Sequence, residues 1–445
     1  MSQANMSGKT ANMTATAVVR PLVLDPDRRT MIISDIHGNL PFLKGLLRKV
    51  GYTKDDVLII LGDILEKSVH GLETLRYLME LSRTNTVYFV QGNCEDVTLS
   101  FLRGSWPDEV CLRYGSMWGD KCAWVSMAHQ VGMEIQDPKH YPAIRAAIEK
   151  RFPEELEFLR AMPQILVNDD YLLVHGGVPR ETDLEHLNAH NCMKNDNFLN
   201  QGYAFRRWVV VGHWPVSLYH RHVPTSRPLL LPDRHIASID GGCTLKMDGQ
   251  LNALILPARP GGAFRYVAYD GFPVMTAQAD QEASDNSINI RWGHSLLEVL
   301  RKGEEFSLCR HIETGRELDI LTEFLRQGPE GTYCLDTTDY ELPVSAGQRL
   351  AIIRRTTRGA LAKKDGGDRR VPGRPKSIVR TGPIRSAGHP LDRRGCPCYN
   401  LKHAPAPGAA SSRVGDQASS AHWTGSCQRD EGDTRGLISA SRCCI

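Results

Sequence analysis

The sequence predicts an α/β fold, and three observations lead to this class. Residues 30–93 alternate short apolar runs with stretches of helical period, such as NLPFLKGLLRKVG. Such alternation requires crossover connections and therefore favours a largely parallel sheet. A helical stretch follows, and short strands separated by turn residues come after it. The apolar residues on one face of the first helix are Leu43, Leu46, Leu47 and Val50.

The individual elements follow from period and turn residues. Strands are predicted at TMIIS, DVLIILGD, TVYFVQGN, QILVND, YLLVHGG, WVVVGHWP, HIASIDGG, LNALILP and RYVAYDG. Helices are predicted at NLPFLKGLLRKVG, GLETLRYLMELS and HYPAIRAAIEKRFPEELEFLRAM. The last of these belongs to about residues 97–162, which we interpret as a helical insertion or cap, because the Trp-rich piece before it has no clear period.

Four segments are expected along the chain. Residues 1–27 predict a flexible leader, and residues 28–280 hold the main α/β unit. Residues 286–364 combine short strands with turn residues and predict a small β-rich accessory domain. Its last part resembles an SH3-like strand order, and a packing extension of the main unit is the equal alternative. In residues 366–445 apolar periodicity is lost among Arg, Pro, Gly and Ser, which predicts a disordered basic tail.

Composition limits the function classes. The formal charge of +3 is near balance for 445 residues; it argues neither for nor against a nucleic-acid partner, and none is expected. The first residues lack the apolar core of a secretory signal, and no run reaches the roughly 20 apolar residues of a membrane span. We therefore expect a cytoplasmic protein without a membrane partner. The cysteines up to Cys334 lack paired spacing, which favours free thiols.

Five predicted strands end in side chains that commonly bind metals, each beside a glycine. These residues are Asp35 and His37 of SDIHG, Asp63 of LGD, Asn93 of QGN, His175 of VHGG and His213 of VGH. Each residue alone is equally typical of a polar loop. Oxygen donors mixed with imidazoles suit Mn, Fe or Zn better than Ca, and six donors exceed one tetrahedral site. Together they predict two adjacent divalent ions that share a carboxylate.

This order of motifs resembles the calcineurin-like metallophosphoesterase superfamily, and specifically its bacterial-type phosphoprotein (serine/threonine) phosphatase branch. The first three motifs are spaced by about 28 and about 30 residues, as in that branch. The resemblance covers roughly residues 28–280 and implies a four-layered α/β/β/α sandwich as catalytic domain. Two divalent ions are implied, with Mn expected in vitro. The implied ligands are Asp35 and His37 on the first ion, Asp63 as a bridge, and Asn93, His175 and His213 on the second.

Three positions depart from the family pattern. Where its members resemble GDxxDRG and GNHE, this chain has GDILEKS and GNCED. Glu66, Lys67 and Cys94 thus replace an aspartate, a phosphate-binding arginine and the histidine that protonates the leaving group. Lysine offers a point charge in place of a bidentate fork. Cys94 has three interpretations: a weak acid, an oxidisable switch or, favoured, a buried space-filler. Glu66 is expected to be the carboxylate partner of a catalytic imidazole if Cys94→His restores one.

Positive side chains are expected to bind the phosphoryl oxygens. The candidates are Lys67, Arg180, Lys194, Arg206 and Arg207, each equally typical of a solvated surface charge.

The resemblance implies hydrolysis of phosphate monoesters by water that two metal ions activate, with a phosphoprotein or small phosphoester as substrate. A serine/threonine-type protein phosphatase is the first prediction. The second is a nucleotide hydrolase, because VVVGHWP and IDGGCTLKMDGQLNALIL resemble the corresponding region of symmetrical diadenosine tetraphosphatases. The third is a catalytically weak, metal-bound binding module, which the three departures suggest.

Overall fold

The computed structural model describes residues 15–259, 261–364 and, for the backbone alone, 379–380. The strands before residue 270 are β1 (Val19–Pro21), β2 (Thr30–Ile33), β3 (Val57–Leu61), β4 (Thr86–Val90), β5 (Ile165–Val167), β6 (Tyr171–Val174), β7 (Trp208–Val211), β8 (Leu229–Leu231), β9 (Ile236–Ser238), β10 (Leu251–Ile255) and β11 (Arg265–Tyr269). The α-helices of the described residues are α1 (Leu40–Val50), α2 (Gly71–Thr84), α3 (Asn93–Arg103), α4 (Asp108–Trp118), α5 (Ala123–Gln130), α6 (Tyr141–Arg151), α7 (Pro153–Ala161) and α8 (Ala189–Met193). All of them are too short or too polar to cross a membrane.

These strands form two sheets. One has six strands in the order β1-β5-β6-β7-β9-β8, and the other has five in the order β11-β10-β2-β3-β4. In the five-stranded sheet β2, β3 and β4 run parallel, as predicted. In the six-stranded sheet β6, β7 and β9 also run parallel. Each sheet therefore presents three carboxyl strand ends at one of its edges.

Apolar side chains alternate between the two faces of each sheet. In β2, Ile32 packs between the sheets, whereas Met31 and Ile33 pack toward the helices on the other side. The outer face of the six-stranded sheet, which includes Val209, packs on the short helical segments around Phe198. Helices therefore cover both outer faces of two stacked sheets, which confirms the predicted α/β/β/α class.

The first helix forms for the reasons that the sequence suggests. The Asn39 side chain caps α1 by accepting the Phe42 N–H at 3.2 Å, and Gly51 ends the helix in the left-handed region at φ 62°. The predicted apolar face is buried, as the exposure of its four residues confirms. This helix directly follows the loop after β2 and fixes the position at which that loop ends.

The region between β4 and β5 is helical throughout, from α3 to α7. The Trp-rich piece, which had no clear period, forms α4 and α5. Consecutive residues of α5 are buried, including Trp124 and Val125, so the helix has no single apolar face. Trp124 stacks on Phe101 of α3 with ring centroids 3.9 Å apart. Burial on several sides therefore removed the period that would have revealed α5.

The flexible leader predicted for residues 1–27 is wrong for its last part. Val19–Pro21 forms β1, which pairs in parallel with β5, and Leu22 is buried between the sheets. The apolar run AVVRPLVL supplies the residues for this edge strand. Residues 1–14 lie outside the described part of the chain.

The chain after β11 forms further strands. These are β12 (Val274–Thr276), β13 (Asn289–Ile290), β14 (Leu296–Arg301), β15 (Phe306–His311), β16 (Glu317–Leu321), β17 (Leu325–Gly328), β18 (Gly331–Cys334), β19 (Thr337–Thr338), β20 (Arg349–Thr356), β21 (Gly359–Lys364) and β22 (Val379–Arg380). β12 precedes the predicted start at residue 286, yet it pairs with β20. The SH3-like order stays a prediction. Apart from β22, which pairs with β21, the predicted disordered tail lies outside the described residues.

The β-rich region contacts the segment that follows β7. The Asn289 amide donates to the Ser217 carbonyl at 3.1 Å, and Arg291 Nε donates to the Leu218 carbonyl at 3.0 Å. Both acceptors lie a few residues after His213. The β-rich region thus helps to hold one of the loops at the carboxyl edge of the sandwich.

Candidate metal centre

The carboxyl ends of the two parallel sets meet in one buried cluster centred on Asp63. Asp63 Oδ2 lies 3.8 Å from His37 Nε2, and Asp63 Oδ1 lies 3.2 Å from His175 Nε2. The rings of His175 and His213 are 5.4 Å apart, and the His213 N–H donates to the Asp35 carboxylate at 3.0 Å. Ligands from one sheet therefore face ligands from the other, with Asp63 between them.

Asn93 also lies beside this cluster. It begins α3, next to Cys94, whose backbone N–H donates to Asp63 Oδ1 at 2.9 Å. The buried Asn93 Oδ1 has no hydrogen-bond partner. The structure thus brings together all six residues that were predicted as metal ligands.

The backbone at the cluster is crowded and unusual. Adding a Cβ to Gly212 would place it 2.3 Å from Asp35 Oδ2, and one on Gly92 would lie 2.3 Å from Asp63 Oδ1. These contacts explain why glycines adjoin the polar residues. Several of the cluster residues occupy the left-handed region, where strain is typical of functional sites. They are Asp35 (φ 54°), His37 (φ 48°), Asp63 (φ 52°) and His213 (φ 65°).

Unpaired acceptors show that the cluster fits a cation. His175 Nδ1 lies 2.7 Å from the Leu61 carbonyl, which can only accept, so Nδ1 carries a proton and Nε2 is the nitrogen that a cation would bind. Both His175 Nε2 and His37 Nε2 are buried without a hydrogen bond, since the 3.2 Å approach to Asp63 lacks the required angles. Buried acceptors of this kind need a partner. A mixed oxygen and imidazole set matches a divalent transition metal.

The charges in the cluster are strongly coupled without a cation. Burial opposes the charge on His175, but Asp63 and Asp35 outweigh it and raise the pKa of His175 to about 10. Burial likewise opposes ionisation of Asp63, yet the nearby His175 and His37 hold the pKa of Asp63 well below its usual range. Burial lowers the pKa of His37 to about 4. A proton on His175 thus occupies the place that a metal ion would take.

Asp196 orients His213 and was not found from the sequence. His213 Nε2 lies 2.8 Å from Asp196 Oδ1, which also binds Lys194 Nζ at 2.9 Å. A carboxylate on the outer ring nitrogen fixes the tautomer of a metal-binding histidine. Lys194, predicted to bind substrate, is thus paired with a supporting carboxylate. Asp196 lies in a loop after α8, and no strand end marks it in the sequence.

Glu95 holds the loop that carries Asp63. Its carboxylate accepts four backbone N–H groups, at distances of 2.8–3.1 Å. The donors are Asp63, Ile64, Leu65 and Gly92. Glu95 is fully buried. Its place in the GNCED motif was the sequence signal that could have identified Glu95.

Asp240 is a third acidic residue beside the cluster that sequence reasoning missed. It follows β9, the third parallel strand of its sheet, and its Oδ1 accepts the Gly242 N–H at 2.7 Å. The buried Oδ2 has no hydrogen-bond partner. Burial raises the pKa of Asp240 to about 7, and the charge of Asp240 in turn raises the pKa of Asp35 further than burial alone. The motif IDGG carried the same strand-end signal as the other ligands.

The predicted role of Glu66 as partner of a catalytic acid is not supported by its contacts. One oxygen accepts the Ala123 N–H at 3.0 Å, and the other accepts from the Tyr114 hydroxyl at 3.4 Å. Burial raises the pKa of Glu66 to about 7. Because both oxygens face the helical insertion, Glu66 fastens α4 and α5 to the Asp63 loop.

Lys67 lies at the border between the cluster and the insertion. Its Nζ is 3.9 Å from the centre of the Trp118 ring and 3.3 Å from the Tyr114 hydroxyl. Burial is the main cause of the low pKa of His37; Asp63 opposes this shift, and the charge of Lys67 adds to it. Lys67 is therefore close enough to the cluster to attract an anion, while aromatic side chains of α4 hold its position.

Arg206 and Arg207 lie at the opposite end of β7 from His213. They precede the strand, whereas His213 follows it. Arg207 Nε donates at 2.7 Å to the carbonyl of Asn168, in the turn between β5 and β6. This position, with a strand between Arg206 and the cluster, does not support the predicted substrate role of Arg206.

Arg180 is occupied by its own loop. Its guanidinium donates to the Thr182 carbonyl at 3.1 Å and to the Asp183 carboxylate at 3.0 Å, and it is exposed. These contacts do not support the predicted substrate role of Arg180.

Comparisons with known proteins agree with the cluster. A family model described as calcineurin-like phosphoesterase matches residues 28–239. An asymmetrical bis(5'-nucleosyl)-tetraphosphatase, PrpE of Bacillus velezensis, is 21% identical over 230 residues, which are 48% of this chain and 83% of that protein. A symmetrical bis(5'-nucleosyl)-tetraphosphatase of Hamiltonella defensa is 27% identical over 151 residues, which are 33% of this chain and 43% of the relative.

Solved structures similar to this chain include two phosphatases. A putative diadenosine tetraphosphatase has a TM-score of 0.36 and 18% identity, over 58% of this chain and 99% of that one. A cold-active protein-tyrosine phosphatase of a psychrophilic Shewanella has a TM-score of 0.37 and 14% identity, over 59% of this chain and 82% of that one. The family match over residues 28–239 supports placing this part of the chain in the calcineurin-like metallophosphoesterase superfamily.

Proposed function

We propose that this protein is a divalent-metal-dependent hydrolase of phosphoanhydrides, with dinucleoside polyphosphates as its substrate class. The metal cluster and the family match support a phosphoesterase. The choice of substrate class rests on one observation, the contacts of Cys94 at the position of the family's proton donor. The names of the relatives in Bacillus velezensis and Hamiltonella defensa point to the same class.

The residues of the cluster fit two cations around Asp63. Asp35, His37 and Asp63 would hold one ion, and Asp63, Asn93, His175 and His213 would hold the other. When bound, such ions neutralise phosphoryl oxygens and make water a better nucleophile at neutral pH. Mn, Fe and Zn are the proposed metals.

The chain itself supplies orientation and charge. The Leu61 carbonyl and Asp196 hold one ring nitrogen each of His175 and His213, so the other nitrogen of each ring is the one that a cation would bind. Glu95 prevents the Asp63 loop from relaxing when the ligands are unoccupied. Lys67 places a positive charge at the border of the cluster, where it can attract phosphate.

Cys94 separates the candidate substrates. Its thiol is 2% exposed and donates to Asp63 Oδ2 at 3.1 Å. Burial and the charge of Asp63 raise the pKa of the Cys94 thiol well above its usual range, which makes it a weak proton donor. General acid catalysis contributes about 10²–10⁴ in rate when the leaving group needs a proton. Cleavage of a phosphoanhydride releases a weakly basic phosphate oxygen, so it depends much less on such an acid than phosphoserine hydrolysis does.

A serine/threonine-type protein phosphatase is the second candidate. The spacing of about 28 and about 30 residues between the first three motifs favours it, since this spacing resembles the phosphoprotein phosphatases. A phosphoprotein substrate would need another proton donor. The candidate is Tyr114 of α4, because its hydroxyl contacts Lys67 and Glu66 beside the cluster.

The test compares three substrates at saturating metal. The full-length protein is incubated with diadenosine tetraphosphate, a phosphoserine peptide or a nucleoside monophosphate, with Mn²⁺ and with chelator, and products are separated by chromatography. We expect metal-dependent cleavage of the dinucleotide, with kcat/KM at least about 10² above that of the peptide. Two ADP molecules would indicate symmetrical cleavage, and ATP plus AMP asymmetrical cleavage. A peptide rate equal to or above the dinucleotide rate would contradict the proposal, and no turnover by a metal-loaded protein would leave a binding module.

A further inference from the structure

We propose that Cys94 is a metal ligand of the first ion, binding as a thiolate together with His37 and Asp63. This inference rests on the proposed function, since it concerns the same metal centre. It replaces the favoured interpretation of Cys94 as a space-filler, and it gives the first ion a sulfur ligand that the family resemblance does not include.

The position of the sulfur carries the argument. Cys94 Sγ lies 3.1 Å from Asp63 Oδ2 and 3.9 Å from His37 Nδ1. Ligand atoms of Cys94, His37 and Asp63 all lie within 4.8 Å of one another, and all three residues are buried. A buried cysteine that only fills space lies among apolar groups, as Cys111 does in the core of the insertion. Cys94 instead points its sulfur at the shared carboxylate.

A second observation at the same place indicates a missing partner. His37 is 2% exposed, and the nitrogen that lies 3.9 Å from Cys94 Sγ is its Nδ1. Its other nitrogen, Nε2, lies 3.8 Å from the same Asp63 oxygen that faces Cys94 and has no hydrogen bond. A buried imidazole nitrogen without a partner is costly. One cation among the three side chains would satisfy the imidazole and the carboxylate together.

The proton balance follows from this arrangement. Cys94 donates its thiol proton to Asp63 Oδ2, and binding of the first ion replaces this one proton, which leaves to solvent. A cation in contact with sulfur favours the thiolate outright.

A sulfur ligand changes the expected metal. Thiolates select softer ions such as Zn²⁺, Fe²⁺ or Co²⁺, whereas Mn²⁺ prefers oxygen donors. The first ion site is therefore expected to bind Zn²⁺, Fe²⁺ or Co²⁺ more tightly than Mn²⁺, and the second, with Asn93, His175 and His213, to accept Mn²⁺. The centre is therefore expected to hold two different metals when both kinds of ion are present.

Cobalt absorption tests the proposal on the full-length chain. The background carries serine at the cysteines after residue 364, which are Cys396, Cys398, Cys427, Cys443 and Cys444, so that they cannot bind cobalt. The Co²⁺-loaded background should show a thiolate-to-cobalt charge-transfer band in the near ultraviolet. Cys94→Ser should abolish this band. The matched control, Cys243→Ser, should retain it, because Cys243 is equally buried and its sulfur faces the Ile36 carbonyl at 3.7 Å.

A second measurement needs no variant at Cys94. Zinc X-ray absorption of the same background should show a sulfur neighbour at about 2.3 Å. Two bound metals without a sulfur neighbour or a charge-transfer band would overturn the inference and leave the proposed function intact. A band that persists in Cys94→Ser would also overturn it. Failure to bind any metal would overturn both.

Discussion

The two sheets contribute differently to the metal centre. The six-stranded sheet provides His175 and His213, and each ring is held by an outside acceptor, the Leu61 carbonyl and Asp196 respectively. The five-stranded sheet provides Asp35, His37 and Asp63, but the outer contacts there involve a thiol. All three departures from the family pattern also belong to this side, in the loops after β3 and β4.

This difference indicates which side of the metal centre determines the choice of substrate. The histidines of the six-stranded sheet are fixed by ordinary hydrogen bonds and position a metal ion. Hydrolysis of any phosphoester needs a positioned metal ion, so this side does not distinguish between substrates. The side with Glu66, Lys67 and Cys94 contacts the helical insertion, which places aromatic side chains around Lys67. Both sides provide metal ligands, and we assign leaving-group preference mainly to the five-stranded side.

Asp63 belongs to both sides, so its substitution should have the largest effect. Asp63→Asn removes the shared charge and should reduce turnover to background, with fewer than two metals bound per chain, measured by kcat and elemental analysis. Replacing any other single ligand should cost less. Near-normal turnover in Asp63→Asn would show that the bridge is misassigned.

Leaving-group dependence should be the next largest effect. Without a strong general acid, p-nitrophenyl phosphate should exceed a phosphoserine peptide in kcat/KM by about 10²–10⁴. Cys94→His should narrow this ratio if an imidazole can protonate the leaving oxygen, and Cys94→Ala controls for the lost volume. Equal rates on the two substrates in the unmodified protein would mean that another residue donates the proton.

Asp196→Asn should weaken metal binding by the histidines of the six-stranded sheet and leave the other side of the centre unchanged. An outer carboxylate on a metal-binding histidine typically contributes 10–100-fold, so metal affinity and kcat should fall by about 10–100-fold. The aryl-to-alkyl ratio should stay unchanged, because the Cys94 side is untouched. Asp183→Asn, at an exposed aspartate that pairs with Arg180, serves as the control. A changed ratio would argue against the division between the two sides.

The pH dependence of metal uptake should be the smallest of these effects. The raised pKa of His175, about 10, means that the metal-free protein carries a proton there at pH 7, while an ion requires the neutral ring. Affinity should therefore rise with pH, by at least about tenfold per unit for one released proton. Titration in Cys94→Ser excludes the thiol proton. A pH-independent Kd would show that His175 is not a ligand.

The convergence of the metal ligands could be predicted from the sequence because it follows from topology. The carboxyl ends of parallel strands meet at one edge, so polar residues after β2, β3 and β4 had to lie together. Asp240 obeys the same rule after β9, and applying the rule to IDGG would have found it. Arg206 does not meet this rule, since it precedes β7, and its predicted substrate role therefore lacks this support.

The supporting residues could not be derived in this way. Glu95 lies on α3 and binds backbone groups of two different loops, and Asp196 reaches His213 from an irregular segment. Neither contact has a periodic sequence signal, because both depend on how distant loops pack. In the Trp-rich piece, α5 was hidden for a related reason, since a helix buried on several sides loses its polar face.

Anomalous diffraction from crystals grown with Zn²⁺ and Mn²⁺ would test directly whether two metal ions share Asp63. Data collected at the absorption edge of each metal would locate the ions. We expect two peaks in contact with Asp63, a zinc peak on the side of His37 and a second peak beside His175 and His213. A single peak, or two peaks of which one does not touch Asp63, would contradict a shared two-metal centre.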